Sequence, residues 1–131
     1  MTAPKLDKIL YVEDDPDIQA IAQLALEDLG GFSVLCCSSG AEALQQAEGF
    51  APQLMILDVM MPDMDGPATL AALRKIKILH KTPAIFMTAK VQKQEVEEYK
   101  ALGALDVIAK PFDPMTLTDQ ITAIWTRHWI A

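Results

Sequence analysis

The sequence has no long hydrophobic run and little positive charge. No apolar stretch in its 131 residues approaches the ~18 residues of a membrane span. Eleven Lys and Arg residues stand against eighteen Asp and Glu residues, which gives a formal net charge of −7. Nucleic acids and anionic membranes are bound through basic surfaces, so we expect neither as a partner.

Cysteine is also scarce, because the chain has only Cys36 and Cys37, which are neighbours. Adjacent side chains of a strand point to opposite faces, so a disulfide between them would be strained. The pair has neither a redox nor a zinc spacing, and we expect two reduced core thiols. The opening residues MTAPKLDK lack the apolar core of a signal peptide, so we expect a cytoplasmic protein.

What the sequence does contain is a regular alternation of short apolar runs and helical patterns. Its length and its 51% of apolar residues are typical of one compact domain. The apolar runs predict strands at residues 8–12, 32–37, 54–58, 83–89 and 105–110. The helical patterns predict helices at residues 16–31, 39–49, 66–79, 91–103 and 113–131.

Strands that alternate with helices indicate an α/β fold with a parallel sheet and helices on both faces. The first, third and fourth runs are the most apolar, so we expect them at the centre and the other two at the edges. The strand order 2-1-3-4-5 satisfies this with right-handed crossovers, as in a flavodoxin-like (βα)₅ fold.

Acidic and hydroxyl residues mark the expected helix starts. Asp15 before Pro16, Ser39, and Asp113 before Pro114 are predicted N-caps. In the segment PDMDG we expect Asp63 to be a turn residue and Asp65 to cap the third helix. The apolar residues at helical spacing in the first helix are Ile18, Ile21, Leu24, Ala25 and Leu29.

Polar side chains occur at the carboxyl ends of four expected strands: Glu13, Asp14, Asp58, Thr88 and Lys110. The expected strand order does not depend on these residues, so their convergence on one edge of the sheet is independent support for it. Two carboxylates about 5 Å apart repel by roughly 3 kcal/mol at an effective dielectric constant near 20. Clustered carboxylates therefore have a raised pKa or bind a hard cation, and the expected cation is Mg²⁺.

The remaining two residues suit a phosphoryl group. Lys110 supplies a positive charge and Thr88 supplies a hydrogen bond for phosphoryl oxygens. Asp58 is then a candidate nucleophile that would form an acyl phosphate.

Four motifs, in this order and at these spacings, resemble the receiver domain of two-component response regulators: ILYVEDD, LMILDVMMPDMDG, FMTAK and VIAKPF. The resemblance covers essentially the whole chain, and the four motifs together are highly specific. It implies a signalling switch in which Asp58 accepts a phosphoryl group from a sensor histidine kinase or a histidine phosphotransfer protein. A downstream protein, which the sequence does not identify, would then be docked or phosphorylated.

The resemblance also implies the ligands of the metal. Asp14 is the expected main acidic ligand of Mg²⁺, together with Asp58 and the backbone carbonyl of Met60. Glu13 is expected to act mostly through water.

The resemblance further implies that Thr88 binds the phosphoryl group and moves on activation, and that Lys110 pairs with a phosphoryl oxygen. The bond between Lys110 and Pro111 is expected to be cis. Receivers usually carry an aromatic switch residue three positions before this lysine, where this chain has Val107. The departure removes the basis for the usual threonine–aromatic coupling and leaves phosphorylation as the expectation.

The residues after KPF suffice for one helix, so we expect residues 1–131 to form a single receiver domain without an output domain. Such a domain is a phosphoacceptor with slow autodephosphorylation rather than a turnover enzyme. We expect Trp125 and Trp129 to form a packing stripe, with partner docking as the alternative, and His80 and His128 to lie at the surface.

Three other functions are alternatives. A degenerate receiver would bind partners without phosphorylation, although the presence of Asp58, Thr88 and Lys110 argues against it. A phosphohydrolase on a related fold would need an acidic residue where Met60 stands. A flavin-binding protein would need a Ser/Thr-rich phosphate loop, and no segment of the sequence has that composition.

Overall fold

The computed structural model describes residues 3–130, which form a five-stranded parallel sheet in the order β2-β1-β3-β4-β5. The strands are β1 (Lys8–Val12), β2 (Ser33–Cys37), β3 (Leu54–Asp58), β4 (Ala84–Thr88) and β5 (Asp106–Ala109). The helices are α1 (Pro16–Leu24), α2 (Gly40–Phe50), α3 (Gly66–Leu73), α4 (Lys93–Ala101) and α5 (Leu117–Ile130). The predicted α/β class and strand order are confirmed.

Helices cover both faces of the sheet, as predicted. Side chains that alternate along the strands pack on one face against α1 and α5 and on the other against α2 and α3. Every residue of β3 and β4 is buried, which places the two most apolar strands at the centre. Within residues 3–130, no helix combines the length and the hydrophobicity that crossing a bilayer requires.

The predicted caps of the first three helices are confirmed. Asp15 accepts hydrogen bonds from the backbone N–H groups of residues 17 and 18, and Ser39 accepts one from residue 42. Asp65 accepts one from residue 68 at 2.9 Å, and Asp63 lies in the preceding turn with a positive φ of 67°. These caps fix the points at which the chain leaves the carboxyl edge of the sheet.

Of the apolar residues at helical spacing in the first helix, Ala25 is buried, but most of the others are not. Ala22, Ala25 and Leu26 face the core, whereas Ile21, Leu24 and Leu29 are 48%, 61% and 55% exposed. The helix carries apolar residues on two faces, so periodicity alone does not select the buried one. Its second half, residues 25–29, is a π-helical turn rather than a continuation of the α-helix.

The predicted third and fifth helices are shorter in the structure. α3 ends at Leu73, Ile76 is extended, and a 3₁₀ turn follows at Lys77–Leu79. α5 begins at Leu117, because Asp113 caps a separate turn by accepting the N–H of Met115 at 2.9 Å. The predicted end of this helix at residue 131 lies outside the described residues.

The tryptophan and cysteine side chains contribute to the packing of the fold. Trp125 is buried and donates its indole N–H to the carbonyl of Pro4 at 2.7 Å, and Trp129, which is 41% exposed, packs against it with the two rings tilted by 60°. Cys36 and Cys37 are free thiols, as expected, and Cys37 is buried.

Candidate functional site

The parallel register brings the ends of the strands to one edge of the sheet. Asp58 of β3 pairs with Met87 of β4, and Thr88 pairs with Ala109 of β5. A cavity of about 300 Å³ opens there. It is lined by Glu13, Asp14, Asp15, Ile18, Asp58, Met60, Thr88, Ala89 and Lys110. The structure therefore brings together all of the site residues expected from the sequence.

The acidic residues form a tight cluster. One carboxylate oxygen from each of Glu13, Asp14 and Asp58 lies within 4.8 Å of the others. Glu13 and Asp58 are 1% and 3% exposed, whereas Asp14 is exposed at the mouth of the cavity. Such a set of hard oxygen donors, open to solvent on one side, fits Mg²⁺, which keeps several of its waters when bound. The side chain of Met60 is 69% exposed beside the cluster.

Lys110 is the cation of the site. Its Nζ donates to Glu13 Oε1 at 2.8 Å and to Asp58 Oδ1 at 3.2 Å. Burial lowers the pKa of Lys110, but its hydrogen bonds to the two carboxylates outweigh burial and raise that pKa above its ordinary value. The lysine therefore stays charged, and it neutralises one of the three acids.

Glu13 is the acid whose protonation responds to this environment. The pKa of Glu13 is raised from 4.5 to about 7: burial is the largest cause, the hydrogen bond from Lys110 opposes it, and the neighbouring Asp58 adds to the rise. The expected pKa rise in the cluster is thus found at Glu13. Its main cause is removal from water rather than the repulsion that the sequence emphasised.

Thr88 is 2% exposed, and its hydroxyl oxygen accepts the N–H of Lys90 at 3.1 Å. That bond occupies an acceptor site and leaves the hydroxyl proton free to donate into the cavity. Val107 is half-buried and packs against the core on the side of α2 and α3. The bond between Lys110 and Pro111 is cis, as the resemblance implied.

Comparison with known proteins identifies the family. Residues 9–122 match the family model described as the response regulator receiver domain. The chain belongs to this family. Receiver domains are signalling domains of two-component response regulators rather than turnover enzymes, the family typically uses Mg²⁺, and response regulators interact with histidine kinases.

Individual proteins that the chain resembles support its assignment to this family. The receiver chain is 38% identical over 124 residues to the alkaline phosphatase synthesis transcriptional regulatory protein PhoP of Bacillus subtilis. The matched region covers 95% of this chain and 50% of that protein. It is 35% identical over 109 residues to an uncharacterized 14.6 kDa protein of Leptolyngbya boryana, with 83% and 82% covered. The solved chemotaxis response regulator CheY4 of Vibrio cholerae superposes with a TM-score of 0.84, at 31% identity, over 92% of this chain and 99% of that one.

The chain spans about half the length of several curated relatives, among them PhoP. The idea that residues 1–131 form a regulator without an output domain stays a prediction.

Two residues that hold the receiver site in place were missed from the sequence. Gly66 lets the start of α3 lie against β3, since a Cβ there would be 2.6 Å from the Asp58 carbonyl oxygen. Gln19 donates from Nε2 to the carbonyls of Glu13 and Cys37, each at 3.1 Å, and so joins the ends of β1 and β2. The glycine of the DG pair was a visible signal, although it was read only as part of a turn.

Tyr11 was also missed, because it was read simply as part of an apolar run. It is completely buried, and its hydroxyl donates to Glu13 Oε1 at 3.4 Å. Burial, followed by the charges of Glu13 and Asp58, raises the pKa of Tyr11 well above its ordinary value. The hydroxyl therefore keeps its proton and acts as a donor to the acidic cluster.

Proposed function

We propose that this receiver domain is a phosphoacceptor switch, in which the carboxylate of Asp58 takes a phosphoryl group from the phosphohistidine of a sensor histidine kinase or histidine phosphotransfer protein. The observation that carries the proposal is the position of Asp58. It is a buried carboxylate at a strand end, within 4.8 Å of two further acids and 3.2 Å from the Lys110 ammonium, in a cavity open to solvent.

The transfer exchanges one bond for another. A carboxylate oxygen of Asp58 attacks phosphorus, the P–N bond of the donor breaks, and the imidazole leaves with the bonding electron pair and takes up a proton. The product is an acyl phosphate on Asp58. Because the carboxylate is held by Lys110 rather than free to rotate, its attacking geometry is prepared before the donor arrives.

The acidic residues and the cation have separate tasks in this proposal. Asp14, Asp58 and the backbone carbonyl of Met60 would hold Mg²⁺, with Glu13 acting mostly through water. The metal would supply positive charge to the phosphoryl oxygens. Lys110 and the free hydroxyl proton of Thr88 would bind the remaining phosphoryl oxygens.

The release of the phosphoryl group would be slow, because the acids that line the cavity have other tasks: Glu13, Asp14 and Asp58 are assigned to the metal, and Asp15 caps α1. The output would be a change in affinity for a downstream protein, following a shift between two conformations. We place this exchange in the cytoplasm, where the free thiols Cys36 and Cys37 would remain reduced.

Intact mass measurement tests the proposal. After incubation with Mg²⁺ and a small phosphodonor such as acetyl phosphate, the wild-type chain should gain one acid-labile phosphoryl group. Asp58→Asn should gain none, whereas Asp63→Asn, which removes a nearby acid outside the cluster, should behave as the wild type. A gain retained in Asp58→Asn would contradict the proposal.

The second candidate is a degenerate receiver that binds its partner without phosphorylation. Val107, at the position where receivers usually carry an aromatic switch residue, is the observation that keeps it as a candidate, because it removes the usual link between a phosphorylated site and the partner surface without bearing on phosphorylation itself. The same measurement separates the two, since a degenerate receiver would show no phosphoryl gain in any variant. Partner binding that is equal for the wild type and Asp58→Asn would support this second function.

A further inference from the structure

Tyr11 is the one residue with a polar group in the buried part of β1, residues 9–12. It is the largest fully buried side chain among the described residues, and its ring lies in the core on the side of α1 and α5. A phenylalanine would fill the same volume without a hydroxyl that needs a partner. A buried hydroxyl without one costs about 1–3 kcal/mol, so the position of this hydroxyl is constrained.

The partner of the hydroxyl is a residue of the phosphoacceptor site. Glu13 directly follows β1 and its N–H donates to the Cys37 carbonyl at 3.0 Å, so it continues the strand ladder and points to the same face of the sheet as Tyr11, two positions earlier. The hydroxyl lies 3.4 Å from Glu13 Oε1, and Glu13 is the one hydrogen-bond partner that it has within residues 3–130. The ring is fixed by the core, so the hydroxyl is a rigid donor.

The two oxygens of Glu13 consequently have different surroundings. Oε1 accepts from Tyr11 and from the Lys110 ammonium at 2.8 Å, which uses its acceptor capacity. Oε2 accepts one bond among the described residues, from the backbone N–H of Asp15 at 3.3 Å, which is about as long as the 3.4 Å bond from Tyr11. The carboxylate is thus held from one side, and its less occupied oxygen keeps capacity for a further donor.

We propose that Tyr11 is a positioning residue that, through Glu13, sets the affinity of the acidic cluster for Mg²⁺. The inference rests on the proposed function, since it assigns a role within the metal part of that site. Tyr11 and Lys110 hold Glu13 Oε1, and Oε2 is left to accept a hydrogen bond from a metal-bound water. Loss of the hydroxyl leaves Lys110 as the one donor to Oε1 among the described residues, so the carboxylate can turn about that bond, and this lowers the affinity for the ion.

Titration of the metal alone tests the role. Calorimetric titration with Mg²⁺ should show about tenfold weaker binding for Tyr11→Phe than for the wild type, the lower end of the effect of groups that orient metal ligands. The chain has two tyrosines, so Tyr99→Phe is the matched control, and it should bind Mg²⁺ as the wild type does. Chemical denaturation of each variant checks that the fold is retained.

Two further measurements distinguish positioning from a general structural effect. Mg²⁺ should change the tyrosine ultraviolet absorbance of the wild type and of Tyr99→Phe, and this signal should vanish in Tyr11→Phe. In a Glu13→Ala background, Tyr11→Phe should weaken Mg²⁺ binding by less than about twofold, because the group that it orients is gone.

The outcomes separate the two proposals. Equal Mg²⁺ affinities for the wild type and Tyr11→Phe, or a full loss that persists in the Glu13→Ala background, would overturn the positioning role even if Asp58 is phosphorylated. A wild type that binds Mg²⁺ with the tyrosine signal but gains no phosphoryl group would contradict the phosphoacceptor function and support the role of Tyr11. A wild type that binds no Mg²⁺ would overturn both metal assignments.

Discussion

Lys110 and Glu13 are 97 residues apart in the sequence, and their side chains meet at 2.8 Å. The pair is nearly removed from water, so its net contribution depends on how completely the charges are compensated. One ammonium faces two buried acids, Glu13 and Asp58, and the compensation is incomplete. The negative charge that remains favours the binding of a cation at this site.

The incomplete compensation predicts how the stability of the metal-free protein depends on pH. The pKa of Glu13 is about 7 in the folded state against an ordinary 4.5, so the folded state binds more protons between these values. The associated stability is fully present below pH 4.5 and is lost as the pH rises to about 7. At about 1.4 kcal/mol per pKa unit, the contribution of this group to the free energy of unfolding falls by about 3 kcal/mol.

Urea denaturation at several pH values, with a chelator present, measures this dependence. Glu13→Gln is the matched variant, because it keeps the size of the side chain and removes the titration. Its free energy of unfolding should show a smaller decline over the same pH range, and at neutral pH it should exceed that of the wild type. Parallel pH profiles for the two proteins would contradict the prediction.

Gly66 carries a second prediction at the scale of single residues. In Gly66→Ala, the new Cβ would lie 2.6 Å from the Asp58 carbonyl oxygen and 2.9 Å from Val59 Cα, so the start of α3 must move. Overpacking of this kind costs about 1–3 kcal/mol, and the movement would also displace Asp58 and slow its phosphorylation.

Gly49→Ala is the control for this change, because nothing lies within 4 Å of a Cβ at that exposed helical position. It should stabilise the protein by about 0.5–1 kcal/mol, since alanine favours the helix more than glycine does. A Gly66→Ala protein with unchanged stability and phosphorylation would disprove the close-approach argument.

Residues whose role follows from chemistry and strand position could be predicted from the sequence. Asp58 and Thr88 end strands and Lys110 directly follows one, and the alternation of strands and helices is enough to place them at one edge. Tyr11 and Gly66 could not be predicted in the same way. Their roles depend on a hydroxyl direction and on an interatomic gap, which a one-dimensional pattern does not encode.

The starts of the helices could be predicted from the sequence more reliably than their ends. Asp15 and Asp65 mark starts because a cap is a local hydrogen bond between residues two or three apart. The end of α3 at Leu73 depends instead on a tertiary contact, because the Arg74 side chain donates to the carbonyl of Gly103, far along the chain. The start of α5 is an exception, since Asp113 caps an isolated turn.

The Arg74 side chain joins the end of α3 to the segments that precede β4 and β5. Its guanidinium donates to the carbonyls of His80 and Thr82 at 3.0 Å, before β4, and to that of Gly103 at 3.3 Å, before β5. A lysine ammonium cannot reach three carbonyls in the same fork geometry. Arg74→Lys should therefore lower the free energy of unfolding by about 1–3 kcal/mol, measured by denaturation.

Arg127→Lys is the matched control, because the Arg127 side chain is 68% exposed and its ion pair with Asp106 lies at the surface. Surface pairs contribute about 0–1 kcal/mol, so the change should be small. Equal effects of the two substitutions would show that Arg74 does not bridge the elements as the hydrogen bonds imply.

At the scale of the whole molecule, the site joins strands that are far apart in the sequence. β1, β3 and β5 present Glu13, Asp58 and Lys110, and these strands belong to one continuous sheet with α-helices on both faces. The strand order followed from the sequence because hydrophobicity separates central from edge strands. Binding at the junction of these strands should therefore be coupled to the stability of the entire domain, since the ligands are together only when the sheet is complete.

Mg²⁺ should raise the free energy of unfolding of the whole domain as well as occupy the cavity. At a concentration of 100 times Kd the expected gain is about 2.7 kcal/mol, because the unfolded chain does not hold the three acids within 4.8 Å of one another. Thermal denaturation with and without Mg²⁺ measures it. Asp14→Asn should lose most of the gain, and Asp14 is exposed, so this substitution should leave the metal-free stability nearly unchanged.

Asp63→Asn removes the same charge a short distance away, at a positive φ that asparagine also adopts readily, and it should keep the full gain. Since both variants reduce the net charge equally, a difference between them isolates ligation from general electrostatic screening. If Asp14→Asn and Asp63→Asn lose the gain alike, the ion stabilises the acidic domain only by screening its net charge of −7, and the cluster at the sheet edge is not a metal site.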